Sequence, residues 1–252
     1  MFEVFNDIEF DEGPHKYTFT KHPHKLPTSV TTIIGRYKKP FNADYFAKRK
    51  ADQLGVDVQV VLDEWEMKRN YGASKGTLIH SYMEQIMQDL PFKVPNKLDR
   101  EDIVRALNNT KSICDKFKTD SKDTMEHVSA EQIVGCPEWN ITGMIDEVTK
   151  NKINGKYYII DWKTNKEIKT SSPYPLLGTL SHLDSSELTV YSLQMGLYKR
   201  IIEKYTDIKI DACYICHLQV GASNYKMIKT KNVEKEIDMI IQEQMLMEEL
   251  PF

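Results

Sequence analysis

The sequence predicts an α/β domain built on a central mixed β-sheet flanked by helices, with an N-terminal helical/β extension. Three observations carry this. Helical patterning dominates residues 43–118, strand-like patterning dominates 125–163, and a helix, two strands and a final helix follow. Asn154-Gly155 marks a tight hairpin inside the strand run. No apolar run approaches the ~18 residues of a membrane span. At 252 residues the chain suits one large domain or two small ones, and the element order favours one. The expected organisation is an extension over 1–73, a core over 74–230 and a C-terminal helix over 231–252.

The first 35 residues read as short strands and turns, with "KLPTSVTTII" entering a helix that Thr28 or Ser29 can cap. Helices are expected over 43–54, 58–70 and 74–90, the last carrying the stripe Ile79, Met83, Ile86 and Leu90. Two prolines in "DLPFKVPNKLD" interrupt the pattern before a helix over 98–118. In the strand that follows, Val128, Ala130, Gln132 and Val134 share one face, Ser129 and Glu131 the other. Strands are expected at 140–150 and 156–163. The polar stretch 164–186 reads as a mobile or substrate-facing loop. Helix 187–205, strands 208–219 and 224–230, and an amphipathic helix 232–249 complete the chain.

The net charge of -3 does not mark a nucleic-acid binder, but its distribution is uneven. Residues 36–50, "RYKKPFNADYFAKRK", hold six Lys or Arg against one Asp. That segment reads either as a phosphate-tracking surface or as a solvated helix face. The four cysteines lack framework spacing and fit reduced thiols, and "MFEVFNDIEF" lacks a signal pattern, so the expected compartment is cytoplasmic. Cys213 and Cys216 would point to opposite faces of a strand, which argues against a shared metal or redox role. His22 and His24 read as an exposed loop, and no P-loop pattern is present.

The informative stretch is "GMIDEVTKNKINGKYYIIDWKTN", residues 143–165. A two-residue turn at Asn154-Gly155 pairs Ile153 with Lys156 and, counting outward, Asp146 with Lys163 and Val148 with Asp161. Asp146, Asp161 and Lys163 then project to one side and Trp162 to the other. Two carboxylates so placed bracket a divalent cation, and hard oxygen ligands suit magnesium or manganese. Such an ion can polarise a phosphodiester, with Lys163 orienting the attacking water; burial and a cation are expected to lower its pKa. Asp-x-Lys alone fits a surface ion pair at a strand end better than a catalytic site; the accompanying motifs carry the weight.

Together with Gly143-Met-Ile-Asp146 and Asp161-Trp-Lys163, the chain carries Gln194-Met-Gly-Leu-Tyr198 on the next helix and "KGTLIHSYME" upstream. In this order the pieces resemble the PD-(D/E)xK nuclease superfamily, in its RecB-like exonuclease branch. "LPTSVTTII" followed by a basic helical stretch is similar to phage-encoded members and to mitochondrial genome maintenance exonucleases. The likeness covers residues 26–205. It implies a restriction-endonuclease-like core and metal-dependent DNA cleavage. Asp146 and Asp161 would ligate magnesium or manganese with the Trp162 carbonyl, Lys163 would be the catalytic lysine, and His80 would add a ligand. Gln194 and Tyr198, four residues apart on one helix face, would brace the site or touch DNA.

Other residues stay open. Glu131 reads as a solvent-facing glutamate or as the acid that family members carry on the preceding strand, and the polar face it shares with Ser129 favours the acid. His80, from its helix alone, fits a boundary histidine; Tyr191 and Tyr198 fit core aromatics. The candidate DNA contacts are Arg36, Lys38, Lys39, Lys48 and Arg49, with Lys75, Thr77, Thr164 and Lys166 beside the motifs. Tyr37, Phe41, Tyr45 and Phe46 are available for base stacking. The expected activity is a DNA exonuclease of phage-type replication, recombination or degradation, with DNA as partner, possible phage or host replication or recombination proteins, and no membrane. If the protein is phage-encoded, its compartment is the host cytoplasm. A structure-specific or RNA-directed endonuclease, or a non-cleaving DNA-binding subunit, are the alternatives.

Overall fold

In the computed structural model the described residues are 1–249; residues 250–252, the end of the expected C-terminal helix, lie outside them. Strands β1 (Ile8–Asp11) and β2 (Lys16–Phe19) form a small antiparallel hairpin. The two-residue β3 (Thr28–Ser29) leads directly into α1 (Val30–Gly35), where Ser29 Oγ accepts from Thr32 N and caps the first turn. Helix α2 (Ala43–Leu54) is capped by Asn42 and ends at Gly55, whose φ of 66° is the left-handed stop that favours glycine.

Helix α3 (Val58–Met87) runs unbroken for 30 residues where two helices, 58–70 and 74–90, were expected. Gly72 costs a helix interior only about 1 kcal/mol, and no proline enforces a break. The helix stops early because Asp89 takes φ 58°, so Leu90 is exposed and leaves the stripe, whose buried members are Leu78, Ile79, Tyr82, Met83 and Met87. Helix α4 (Glu101–Ser121), strands β4 (Met125–Cys136), β5 (Ile141–Asn151) and β6 (Tyr157–Lys163), helix α5 (Glu187–Tyr205), strands β7 (Ile210–His217) and β8 (Lys226–Lys229) and helix α6 (Glu234–Glu249) follow.

The main sheet has the order β3-β5-β6-β7-β8, with β4 antiparallel along β5. It is mixed: β3–β5 and β6–β7 are parallel, the other pairs antiparallel. Its faces bury two apolar layers. Ile33, Ile159, Ile201, Ile215 and Ile237 belong to the layer of α1, α5 and α6. Ile79, Ile103, Phe117, Ile160 and Trp162 belong to the layer of α3 and α4. Each such fully buried side chain contributes roughly 1.5–3 kcal/mol. Cys213 and Cys216 fall into opposite layers, as strand geometry requires. Among the described residues no helix is long and apolar enough to cross a membrane.

The β5–β6 turn differs from the expected one. Asn151 N donates to Lys156 O, and Asn151 Oδ1 accepts from Ile153 N and Asn154 N, so four residues form the loop and Gly155 supplies φ 71°. The register therefore pairs Val148 with Ile159 and Glu147 with Ile160, two residues from the expected pairing. A slip of two preserves the faces. Segment 164–186 is also not a free loop: Ile168, Leu176 and Leu180 are buried in the α1–α5–α6 layer, and Leu177 N donates to Tyr37 O at 2.7 Å.

Candidate metal centre

The site grows from a fork in β5. On the side of β5 away from β4, β3 pairs only with Ile141 and Thr142, and β6 only with residues 147–150. Gly143 to Asp146 face the gap between them. Asp146 fills part of it: its Oδ2 accepts from Trp162 N at 2.7 Å, so a carboxylate replaces the next rung of the ladder. Gly143 admits Tyr198, since a Cβ there would lie 2.5 Å from Tyr198 Cε1.

Five elements deliver polar groups to this gap. Asp146 comes from β5, and Asp161 and Lys163 come from the same face of β6. Glu131 comes from β4, beside Asp146, with φ 45°, a strained backbone for a glutamate that only His15, Asp89 and Asn140 share among the described non-glycine residues. His80 comes from α3, with Nδ1 3.5 Å from Asp146 Oδ2. Lys163 Nζ lies 2.6 Å from Asp161 Oδ2 in a close, buried ion pair. From α5, Gln194 Nε2 donates to Asp161 Oδ1 at 3.4 Å and to Tyr198 Oη at 3.3 Å.

The charges are mutually perturbed. Burial pushes the Glu131 carboxyl up to about 7, reinforced by the negative charge of Asp146. Burial likewise raises Asp161 to about 6, with Asp146 adding to it against the pull of Lys163. Asp146 is held below its ordinary range despite burial, because His80 and Lys163 stabilise its anion. His80 is raised despite burial by the Asp146 carboxylate. Lys163 was expected to be lowered; burial does act that way, but Asp161 and Asp146 outweigh it and raise it.

Ligand atoms of His80, Glu131 and Asp146 lie within 4.8 Å of one another, so this triad could hold a metal ion. An imidazole and two carboxylates fit a divalent cation of intermediate to hard character. Asp161, expected as a ligand, stands outside the triad, its Oδ2 ion-paired with Lys163 Nζ and its Oδ1 accepting from Gln194 Nε2. The backbone contact of Trp162 with the site is its N–H rather than its carbonyl, and its side chain is buried against Phe117 on the other face. Gln194 and Tyr198 brace the acids from within the protein, Tyr198 being buried.

The expected DNA contacts divide. Arg36 is engaged by Gln244 and Thr28, and buried Tyr37 donates to Glu243, so neither is free. Lys75 Nζ donates to Thr164 O at 3.0 Å, tying α3 to the end of β6; Thr77 bonds Ala73 O within its own helix, and Thr164 is buried. Lys38, Lys39, Lys48, Arg49 and Lys166 are exposed. Sequence reasoning missed Asn165, whose side chain donates to Tyr191 Oη at 3.0 Å while the Tyr191 ring lies under Lys163 Nζ, 4.8 Å from its centroid. It also missed Glu147, fully buried behind Asp146 with His127 Nδ1 2.8 Å away. The step from Asp146 to its neighbouring glutamate was the available signal, since an acid inside a core strand demands a partner.

No protein-family model and no curated protein matches the chain. Among solved structures it is similar to the crystal structure of SSO0001, at 12% identity over 59% of this chain and 61% of that chain, with a TM-score of 0.28. The chain thus spans about three fifths of that protein's length, and a likeness at this level carries no argument.

Proposed function

We propose that the protein is a divalent-metal-dependent deoxyribonuclease of the PD-(D/E)xK type, with a restriction-endonuclease-like core and an exonuclease's preference for DNA ends. The observation that carries this reading is the convergence of His80, Glu131, Asp146, Asp161 and Lys163 at the fork of β5, in a motif order that resembles that superfamily. His80, Glu131 and Asp146 would hold the ion, with Asp161 beside them, and magnesium or manganese is the metal the branch implies. When bound, the ion supplies Lewis-acid stabilisation of the charge that develops on a phosphodiester.

The chain's own groups do the rest. Lys163 keeps its proton next to two acids and presents a single positive charge to a phosphate oxygen or to the attacking water. Gln194, held by Tyr198, fixes Asp161. Glu131, raised to about 7 by burial and the neighbouring Asp146 charge, would give up its proton on taking the ion. The test is digestion of end-labelled linear and closed circular DNA with manganese. Shortening of linear DNA by the wild type, sparing of circles and a loss of at least ~100-fold in Lys163→Ala are expected. Intact DNA with wild type and variant alike would remove the reading.

A further inference from the structure

The aromatic cluster formed by Phe41, just ahead of α2, with α2 and the N-terminal half of α3 lies away from the acids and is not used by the chemistry above. Phe41, Tyr45 and Phe46 are 66%, 59% and 42% exposed. The Phe41 and Phe46 rings lie parallel, 4° apart with centroids at 5.1 Å; Tyr45 meets Phe46 edge-on, and Phe41 rests on Trp65 of α3. Three neighbouring rings left in water mark a binding surface rather than core packing. Four cations accompany them. The side chains of Lys38, Lys39, Lys48 and Arg49 take no part in any ion pair or hydrogen bond among the described residues. Lys48 and Arg49 lie three and four residues beyond Tyr45, on the same helix face.

We propose that Phe41, Tyr45 and Phe46, flanked by Lys38, Lys39, Lys48 and Arg49, form a stacking platform for a single-stranded DNA segment. The choice of DNA rests on the nuclease reading. Unpaired bases offer a π-face to such rings while the phosphates run past the cations. A duplex hides those faces within its own stack. A protein partner fits less well, because interface centres are depleted in lysine and four unmatched cations would be desolvated. Trp65 and His80 share α3 and lie ~22 Å apart along its axis at ~1.5 Å per residue. At ~3.4 Å per stacked nucleotide this is about six nucleotides. The platform therefore holds a strand about six nucleotides from the acids.

The test is fluorescence anisotropy of labelled 12-nucleotide and 4-nucleotide strands, and of a 12-base-pair duplex, with full-length protein in EDTA. The wild type is expected to hold the 12-mer more tightly than the 4-mer. Phe41→Ala and Tyr45→Ala, both at exposed positions, should each weaken the 12-mer at least about five-fold and leave the duplex unchanged. Lys48→Gln/Arg49→Gln should flatten the salt dependence. Ring variants that bind the 12-mer as the wild type does, or that lose strand and duplex equally, overturn the platform. A protein that grips the strand through these rings but never cuts it with manganese keeps the platform and loses the nuclease reading. Cleavage unaffected by the ring variants does the reverse.

Discussion

Lys163 is held from three sides: Asp161 ion-pairs with it, Asp146 adds a second negative charge, and the Tyr191 ring lies beneath its ammonium. A cation over a ring contributes about 0.5–2 kcal/mol. Tyr191→Leu is therefore expected to lower kcat about two- to thirty-fold with little change in KM, while Tyr191→Phe, which keeps the ring, stays near wild type. Equal losses in both variants would place the effect in the Asn165 hydrogen bond instead. The raised acids set a second expectation. Glu131 at about 7 and Asp161 at about 6 must lose protons to face a cation, so manganese affinity should rise steeply between pH 5.5 and 7.5, with proton release seen by calorimetry in two buffers. A pH-independent affinity would contradict it. At this scale Asp146, Asp161 and Lys163 were legible because spacing along two strands places them. Tyr191's contact with Lys163, Asn165, and the His127–Glu147 pair were not, since contacts across distant segments leave no local pattern.

Among elements, the hairpin shows why parity matters more than register. Asn151 builds a wider turn than Asn154-Gly155 suggested, and the pairing moves by two residues, yet each side chain keeps its face. The continuity of α3 through Gly72 was not legible, because a single glycine weakens a helix without breaking it. Segment 164–186 looked loose because its anchors, Ile168, Leu176 and Leu180, are sparse among polar residues. The fork of β5 depends on a two-residue β3 that no periodicity reveals. Its steric condition is testable at Gly143. A methyl group there meets Tyr198 at 2.5 Å, so Gly143→Ala should cost roughly 1–3 kcal/mol in denaturant unfolding and displace the Tyr198–Gln194–Asp161 chain, lowering activity more than Lys75→Ala does. Unchanged stability would mean that Tyr198 does not fill the gap.

For the whole molecule the buried acids link folding to pH and to metal. Glu131, Asp161 and Glu147 have folded values above their unfolded ones, so the folded state binds the extra protons and is favoured at low pH. That contribution is lost as pH rises from about 4 to about 7; the raised His80 and His127 act in the same direction above 6.5. Metal-free protein should therefore melt lower at pH 8 than at pH 5.5. A cation on the same acids reverses the sign, and manganese at a hundred times its Kd adds about 2.7 kcal/mol, or roughly 5–10 °C in Tm at pH 8. The α/β architecture followed from element order, because helix and strand periods differ along the chain; the convergence of five elements at one gap is a tertiary fact that local pattern does not contain.

The most direct test of the central claim is anomalous diffraction at the manganese edge from crystals soaked in manganese near pH 7.5. A single strong peak bonded to His80, Glu131 and Asp146, with Asp161 within reach, is the predicted result. A peak elsewhere, or none at saturating manganese while Asp146 stays bonded to Trp162 N and His80, would contradict it.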